Sequence, residues 1–262
     1  LNKSASPSNL VLEVSDIRVQ FGGVKAVDGA SIGVSAGSIT SMIGPNGAGK
    51  TTLFNLISGA IKSDSGKVIF QGEEIQGLHP HQIAHRGMVR TFQGAKVIKR
   101  LSVLDNVMLG GQNNPGEGLI GFFRPSARAK YEESARIRAM ELLSQVGIER
   151  FANEYAGILS GGQRKLLDLA RALMAQPKML LLDEPFAGVN PTLVEKLIEV
   201  INNLRKEREL TFLLVEHDLE TVMNISDKVI VLAQGKVIAD GLPRSIYENE
   251  SVIDAYLGSR KK

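Results

Sequence analysis

The chain contains no cysteine. That excludes a disulfide framework, a thiolate metal site and a cysteine nucleophile, and it fits a reducing cytosol. Also missing is any uninterrupted apolar run of 18 residues, about the length a membrane-spanning helix needs. The first residues lack the basic-then-apolar order of a secretory signal. A role at a membrane therefore requires another chain to do the spanning. A strong charge excess is absent too: 31 Lys and Arg stand against 28 Asp and Glu, and Arg260-Lys261-Lys262 supplies part of the difference as a solvated tail. A sequence pI near 9.0 then does not mark a nucleic-acid binder. No internal repeat is visible. What remains is an ordinary globular composition, 43% hydrophobic and 23% charged over 262 residues, enough to bury a sizeable core.

Residues 1–9 are polar with one proline and read as a disordered tail, ahead of a single domain over 10–262. Leu10–Val14 and Ile17–Phe21 are strand-like, and Ile39–Ile43 is a compact strand that feeds a glycine loop and a helix over Thr51–Ser58. Val68–Gly72 and the following Glu-Glu-Ile read as a hairpin. Gly110–Pro125 is rich in Gly, Asn and Pro and reads as a loop or broken helix. Ser126 caps a helix to about Gln145, with Ile137, Met140 and Leu143 spaced by three and Gly147 as its stop. Helical and apolar-strand patterns then alternate: Lys165–Ala175, Met179–Leu182, Pro191–Glu207, Thr211–Val215, Leu219–Asn224 and Val229–Leu232. Such alternation predicts an α/β fold with a parallel sheet and crossover helices. Gln234-Gly235-Lys236 turns a last hairpin before a short C-terminal helix.

Gly44-Pro45-Asn46-Gly47-Ala48-Gly49-Lys50-Thr51, followed by Thr52, matches the phosphate-loop pattern G-x-x-x-x-G-K-[ST]. Its glycines let backbone N–H groups converge on phosphate oxygens, and the helix behind them adds the positive end of its dipole. Lys50 is placed to reach the outer phosphates, and the Thr51 hydroxyl to ligate Mg²⁺. Leu180-Leu181-Leu182 ends in Asp183-Glu184, two carboxylates at the carboxyl end of an apolar strand, where charge emerges towards a ligand. Asp183 suits Mg²⁺, and Glu184 suits the orientation of an attacking water. Leu159-Ser160-Gly161-Gly162-Gln163 opens a helical pattern and offers a second anion cradle of hydroxyl, amides and helix N-terminus, or simply a capped turn. His79, His81 and His85 have no carboxylate or cysteine at ligand spacing and read as surface residues.

Together these motifs resemble the ATP-binding cassette family, the nucleotide-binding subunits of transporters, over essentially all of residues 10–258. The resemblance implies a P-loop NTPase core with a mostly parallel sheet, an N-terminal antiparallel β subdomain and an inserted helical subdomain at about 94–158. It also answers why one chain carries two cradles. In that family Ser160, Gly161, Gly162 and Gln163 act in trans, covering the γ-phosphate of an ATP held by a second cassette. By the same resemblance Gln93 in "RTFQG" touches Mg²⁺ or its water, His217 in "LLVEHD" contacts the γ-phosphate, and Phe21 stacks on adenine. One position departs: the loop after Glu184 reads "FAGVNP", with Asn190 where many members carry Asp.

"RTFQ", "AGVNP", "VEHDLETVMNISD" and "VIDAYLG" resemble the branched-chain amino-acid importer ATPases, with lipopolysaccharide-export ATPases as the rival subgroup. Either implies ATP and Mg²⁺ as cofactors, membrane permease subunits as partners and a second cassette, identical or different. An importer also implies a periplasmic or extracellular substrate-binding protein, and a peripheral position on the cytoplasmic face of the membrane. Residues 95–103 lie where the family forms its groove for a permease helix, and Leu119–Phe123 reads as a partner contact or as a plug under the helical subdomain. A soluble assembly factor of the iron–sulfur scaffold type is the alternative from another class. Nucleic-acid-directed cassettes carry a long coiled coil or two cassettes per chain, and a guanine-nucleotide switch requires an Asn-Lys-x-Asp segment that this chain lacks.

Overall fold

The computed structural model describes residues 9–91, 97–112 and 125–257. The chain divides into two compact units, one comprising 1–88, 178–185 and 203–262, the other 89–177 and 186–202. In the first unit, β1 (Leu10–Phe21) pairs antiparallel with β2 (Val24–Ser35) and with β4 (Ser65–Phe70), and β5 (Glu73–Glu74) completes the order β2-β1-β4-β5. β1 is continuous where the sequence suggests two strands. Asp16 takes a positive φ of 46°, and the ladder shifts register around it without ending. β2 has no clear sequence signal, because Asp28, Gly29 and Gly33 dilute its apolar alternation. Pairing along β1 forms it nonetheless.

The second sheet has the order β10-β9-β3-β8-β7-β6. Its members are β3 (Ile39–Ile43), β6 (Met88–Arg90), β7 (Met179–Asp183), β8 (Thr211–Val215), β9 (Lys228–Ala233) and β10 (Lys236–Gly241). β9, β3, β8 and β7 run parallel, and β10 returns antiparallel on β9, so the sheet is mixed. Every residue of β3, β7 and β8 is buried. That explains their continuous apolar runs, since a parallel strand is covered on both faces.

Helix α1 (Lys50–Ile57) drives Leu53, Phe54 and Ile57 into a cluster with Val14, Val68 and Phe70 of the antiparallel sheet and Met42, Leu181 and Leu213 of the mixed one. A second cluster joins Ile43, Val229 and Val231 to α7 (Leu219–Ile225), α8 (Pro243–Tyr247) and α9 (Glu250–Leu257) through Val222, Ile246 and Val252. Alternate residues of β3 thus feed two cores. The polar α2 (Pro80–His85) also belongs to this unit.

In the second unit α3 (Val103–Met108), α4 (Pro125–Gln145) and α5 (Gly161–Met174) pack on one another, and α6 (Pro191–Arg208) carries the chain back. The face of α4 differs from the one its large residues suggest. Ile137 is 55% exposed and Met140 37%, whereas Ala135, Ala139, Leu142 and Leu143 are buried. Of the three residues spaced by three, only Leu143 is buried; the inward face is made by Ala135, Ala139, Leu142 and Leu143 instead. Among the described residues no helix is long and apolar enough to cross a membrane.

Asn106 is fully buried on α3. Its amide accepts from the Ile98 N–H at 2.8 Å and donates to the carbonyls of Ile98 at 3.1 Å and Ser102 at 2.8 Å. Backbone bonds from Ala156 to Leu101 and from Gly157 to Lys99 tie the same segment to the stretch that precedes α5. Asn106→Ala leaves the Ile98 N–H without its acceptor, while the carbonyls of Ile98 and Ser102 keep the backbone N–H groups of Leu101 and Asn106. The substitution is expected to destabilise the second unit by about 1–3 kcal/mol. Hydrogen exchange at the Ile98 amide should accelerate correspondingly, and unchanged protection would show that Asn106 does not hold the segment.

Candidate active site

Each group of the site hangs from the carboxyl end of a strand. Register pairs Met42 of β3 and Asp183 of β7 with the same residue, Val215 of β8, so the three strands end level. Gly44 follows β3, Asp183 closes β7, Glu184 comes next, and Glu216-His217 follow β8. Charge therefore gathers at one edge of an otherwise apolar sheet.

The loop from Gly44 to Gly49 is gripped by its neighbours. Gly44 has φ +149°, and a Cβ there would lie 2.1 Å from the Leu232 carbonyl oxygen. Gly49 has φ +99°, and a Cβ there would lie 2.4 Å from the Ala26 carbonyl oxygen. Only glycine fits either place. Behind the loop, the Gly235 N–H donates to the Ala48 carbonyl at 2.9 Å and the Asp28 N–H to the Gly235 carbonyl at 2.8 Å. β2 and the β9–β10 turn thus buttress it. The first helical bond of α1 runs from the Leu53 N–H to the Gly49 carbonyl. The N–H groups of Lys50, Thr51 and Thr52 precede that bond and face the helix start, with no acidic side chain in the first turn.

Lys50 is 5% exposed, and its Nζ donates to the carbonyls of Gly44 at 2.7 Å and Pro45 at 3.0 Å. Burial pushes the ammonium pKa down, opposed by the Glu184 carboxylate. Glu184 adopts φ +49°, a left-handed conformation that costs a non-glycine residue about 1 kcal/mol. Its N–H donates to the Val215 carbonyl at 2.9 Å, and its Oε1 lies 2.8 Å from His217 Nε2. Asp183 is 2% exposed at the end of β7, and Glu216 beside His217 is 3% exposed. Among these, the buried Glu216 has no counterpart in the sequence reading.

Asn46–Thr52, Glu184 and His217 line one cavity of about 530 Å³. Val24, Lys25, Ala26, Gln234 and Gly235 complete its wall. Sequence reasoning misses these five, because only β-strand pairing brings them to the loop. Phe21 ends β1 at 52% exposure, and Val24 rather than Phe21 is in the wall. Gln93 and Leu119–Phe123 lie outside the described residues. His79, His81 and His85 are exposed on α2 and its cap, with the first two rings stacked at 5.8 Å.

Ser160–Gln163 belong to the second unit and form a capping box. The Ser160 hydroxyl accepts from the Gln163 N–H at 3.3 Å, and the Gln163 side chain accepts from the Ser160 N–H at 2.8 Å. A Cβ on Gly162 would lie 2.0 Å from Leu193, whereas Gly161 meets nothing within 4 Å. Asn190 caps α6, accepting from the Leu193 N–H at 2.9 Å. An uncharged amide serves that role as well as a carboxylate does.

For Mg²⁺, the Thr51 hydroxyl and the Asp183 carboxylate are the hard oxygen donors that such a cation takes, and they fit it by chemistry. For phosphate, the helix start with no acidic side chain in its first turn and the loop glycines Gly44, Gly47 and Gly49 fit equally well.

This is the constellation of a P-loop nucleotide-binding cassette: a phosphate loop, strand-end carboxylates and a histidine on a mixed sheet beside an antiparallel one. A family model described as ABC transporter matches residues 27–187, more than half of the chain. The chain belongs to the ABC transporter family. It is 43% identical over 252 residues to the high-affinity branched-chain amino acid transport ATP-binding protein BraF of Pseudomonas aeruginosa, covering 96% of this chain and 99% of that one. Among solved structures, the ADP conformation of an ATP-binding cassette of an ABC transporter superposes with a TM-score of 0.83 at 37% identity, over 95% of this chain and 99% of that one. A dimeric cassette bound to ADP and Pi in a post-hydrolysis state gives 0.74 at 26% identity, over 89% and 99%.

Lys50→Ala is expected to bring ATP binding by the isolated chain below detection in calorimetry. An affinity within about tenfold of the parent would remove Lys50 from the site.

Proposed function

We propose that this chain is the ATP-hydrolysing subunit of a transporter that imports branched-chain amino acids. The observation that carries the reading is the Glu184–His217 pair facing Lys50 across a single cavity. BraF, a branched-chain amino acid transport ATP-binding protein matched over 99% of its length, supports the substrate class.

The Gly44–Gly49 loop and the amides of Lys50, Thr51 and Thr52 bind the nucleotide phosphates, with Lys50 exchanging its two carbonyl partners for phosphate oxygens. Thr51 and Asp183, with Gln93, hold Mg²⁺, which when bound neutralises charge on the phosphates. Glu184 accepts a hydrogen bond from the attacking water and orients it towards the γ-phosphate. His217, bonded to the same carboxylate, fixes its rotamer and approaches the transferring group. The work is positioning and charge stabilisation, as phosphoryl transfer requires. Phe21 stacks on the base from the β1 end.

Ser160, Gly161 and Gly162, with Gln163 bracing the turn, cover the γ-phosphate held by a second cassette. The dimeric relative bound to ADP and Pi supports such pairing. The permease docks on the ladder that joins 98–102 to 155–157, where Ile98, Tyr155 and Ile158 are exposed apolar residues. The chain is then peripheral on the cytoplasmic face of the membrane, served across it by a substrate-binding protein.

Purification from native membranes in mild detergent tests this reading. Multi-spanning permease subunits and a cassette partner should co-purify, and ATP turnover should rise with a binding protein loaded with leucine, isoleucine or valine. Recovery with soluble proteins alone would overturn the transport role.

A further inference from the structure

We propose that Lys25, near the start of β2, is a further nucleotide-binding residue, its ammonium pairing with the phosphate nearest the sugar. The proposal rests on the reading of Gly44–Thr51 as a nucleotide site and adds a second lysine to it.

Two close approaches fix the backbone of Lys25 and Ala26 beside the phosphate loop. A Cβ on Gly49 would lie 2.4 Å from the Ala26 carbonyl oxygen, and one on Gly235 would lie 3.0 Å from the carbonyl oxygens of both Lys25 and Ala26. Gly235 is in turn bonded to the loop, its N–H donating to the Ala48 carbonyl at 2.9 Å. Lys25 thereby stands in the wall of the nucleotide cavity, where it is the one lysine besides Lys50 among the described residues. Its place along β2 sets which phosphate it meets. Val24 pairs with Phe21, the base end of the proposed site, and Ala26 touches Gly49 at the start of α1. Lys25 lies between them, at the level of the innermost phosphate.

The ion pairs around Lys25 leave its charge available. Lys25 Nζ is 3.6 Å from Asp28 Oδ2, a loose pair on an exposed side chain. Asp28 already has Arg18 at 2.6 Å, and Lys236 also lies 3.6 Å from it. With Asp16 on Arg18, the cluster sets three cations against two carboxylates, so a positive excess stands beside the cavity. Asp28 does not need Lys25 for its own neutralisation. A nucleotide does: its phosphates carry more negative charge than the Lys50 ammonium alone balances, and an anion entering the cavity draws Lys25 from a carboxylate shared among three cations.

Lys25→Met keeps most of the stem and removes the charge. Calorimetry on the full chain should show Kd for ADP weakened about three- to tenfold. A non-hydrolysable ATP analogue should lose the same factor, since both ligands carry the innermost phosphate. The loss of ADP affinity with added NaCl should become shallower. Lys25→Arg, which keeps the charge, should stay within about twofold of the parent. Lys236→Met removes the other lysine beside Asp28 but leaves the cavity wall intact, and it should leave Kd as it was. Melting temperatures without nucleotide should stay within about 2 °C of the parent for all three variants. Equal Kd for Lys25→Met and parent would overturn the proposal, as would equal weakening by Lys236→Met. A parent chain that binds no ADP would instead overturn the reading of the site.

Discussion

Three parallel strands, β3, β8 and β7, end at the same level, and every charged group of the site depends on that alignment. A one-residue slip of β8 against either neighbour would invert its buried faces and carry His217 away from Glu184. Because all three strands are buried throughout, apolar packing fixes their register. The chemistry at the edge is therefore paid for by the core, not by the charges themselves.

Two features of the site are unfavourable taken alone. A buried ammonium at Lys50 opposes its own charge, and Glu184 sits in a left-handed backbone conformation. Both are held by backbone partners: carbonyls of the loop around the lysine, and the Val215 carbonyl behind the glutamate. Such strain persists where the surroundings over-determine it, and it pre-aims groups that would otherwise reorganise during the reaction. The glycines serve the same end, since close approach of Leu232 and Ala26 leaves the loop little freedom.

What the sequence reveals about this site follows from how local each feature is. The phosphate loop is contiguous and is read directly, and Asp183-Glu184 is readable because an apolar run stops there. The Glu184–His217 bond spans 33 residues and has no local signal; Glu184 is readable at its strand end, and family resemblance alone suggests His217. Lys25, Gln234 and Gly235 enter the cavity wall through strand pairing, which no pattern around them announces. β2 is hidden by its glycines and formed by its neighbour. On α4 the spacing of large residues misleads in part: Leu143 is buried, but Ile137 and Met140 are exposed and Ala135, Ala139 and Leu142 are buried in their stead. Ser160 illustrates a different limit. Its local pattern is a capping box, which the structure contains, and any reach towards a second cassette adds nothing visible within one chain.

The central claim is that Glu184 and His217 work as one unit at the transferring phosphate. A double-mutant cycle with Glu184→Gln and His217→Ala, read as phosphate release in the assembled transporter at saturating ATP, tests it most directly. If the 2.8 Å bond joins them into a unit, the double variant will turn over no more slowly than the worse single variant. Losses that multiply would contradict the account, showing two groups that act independently.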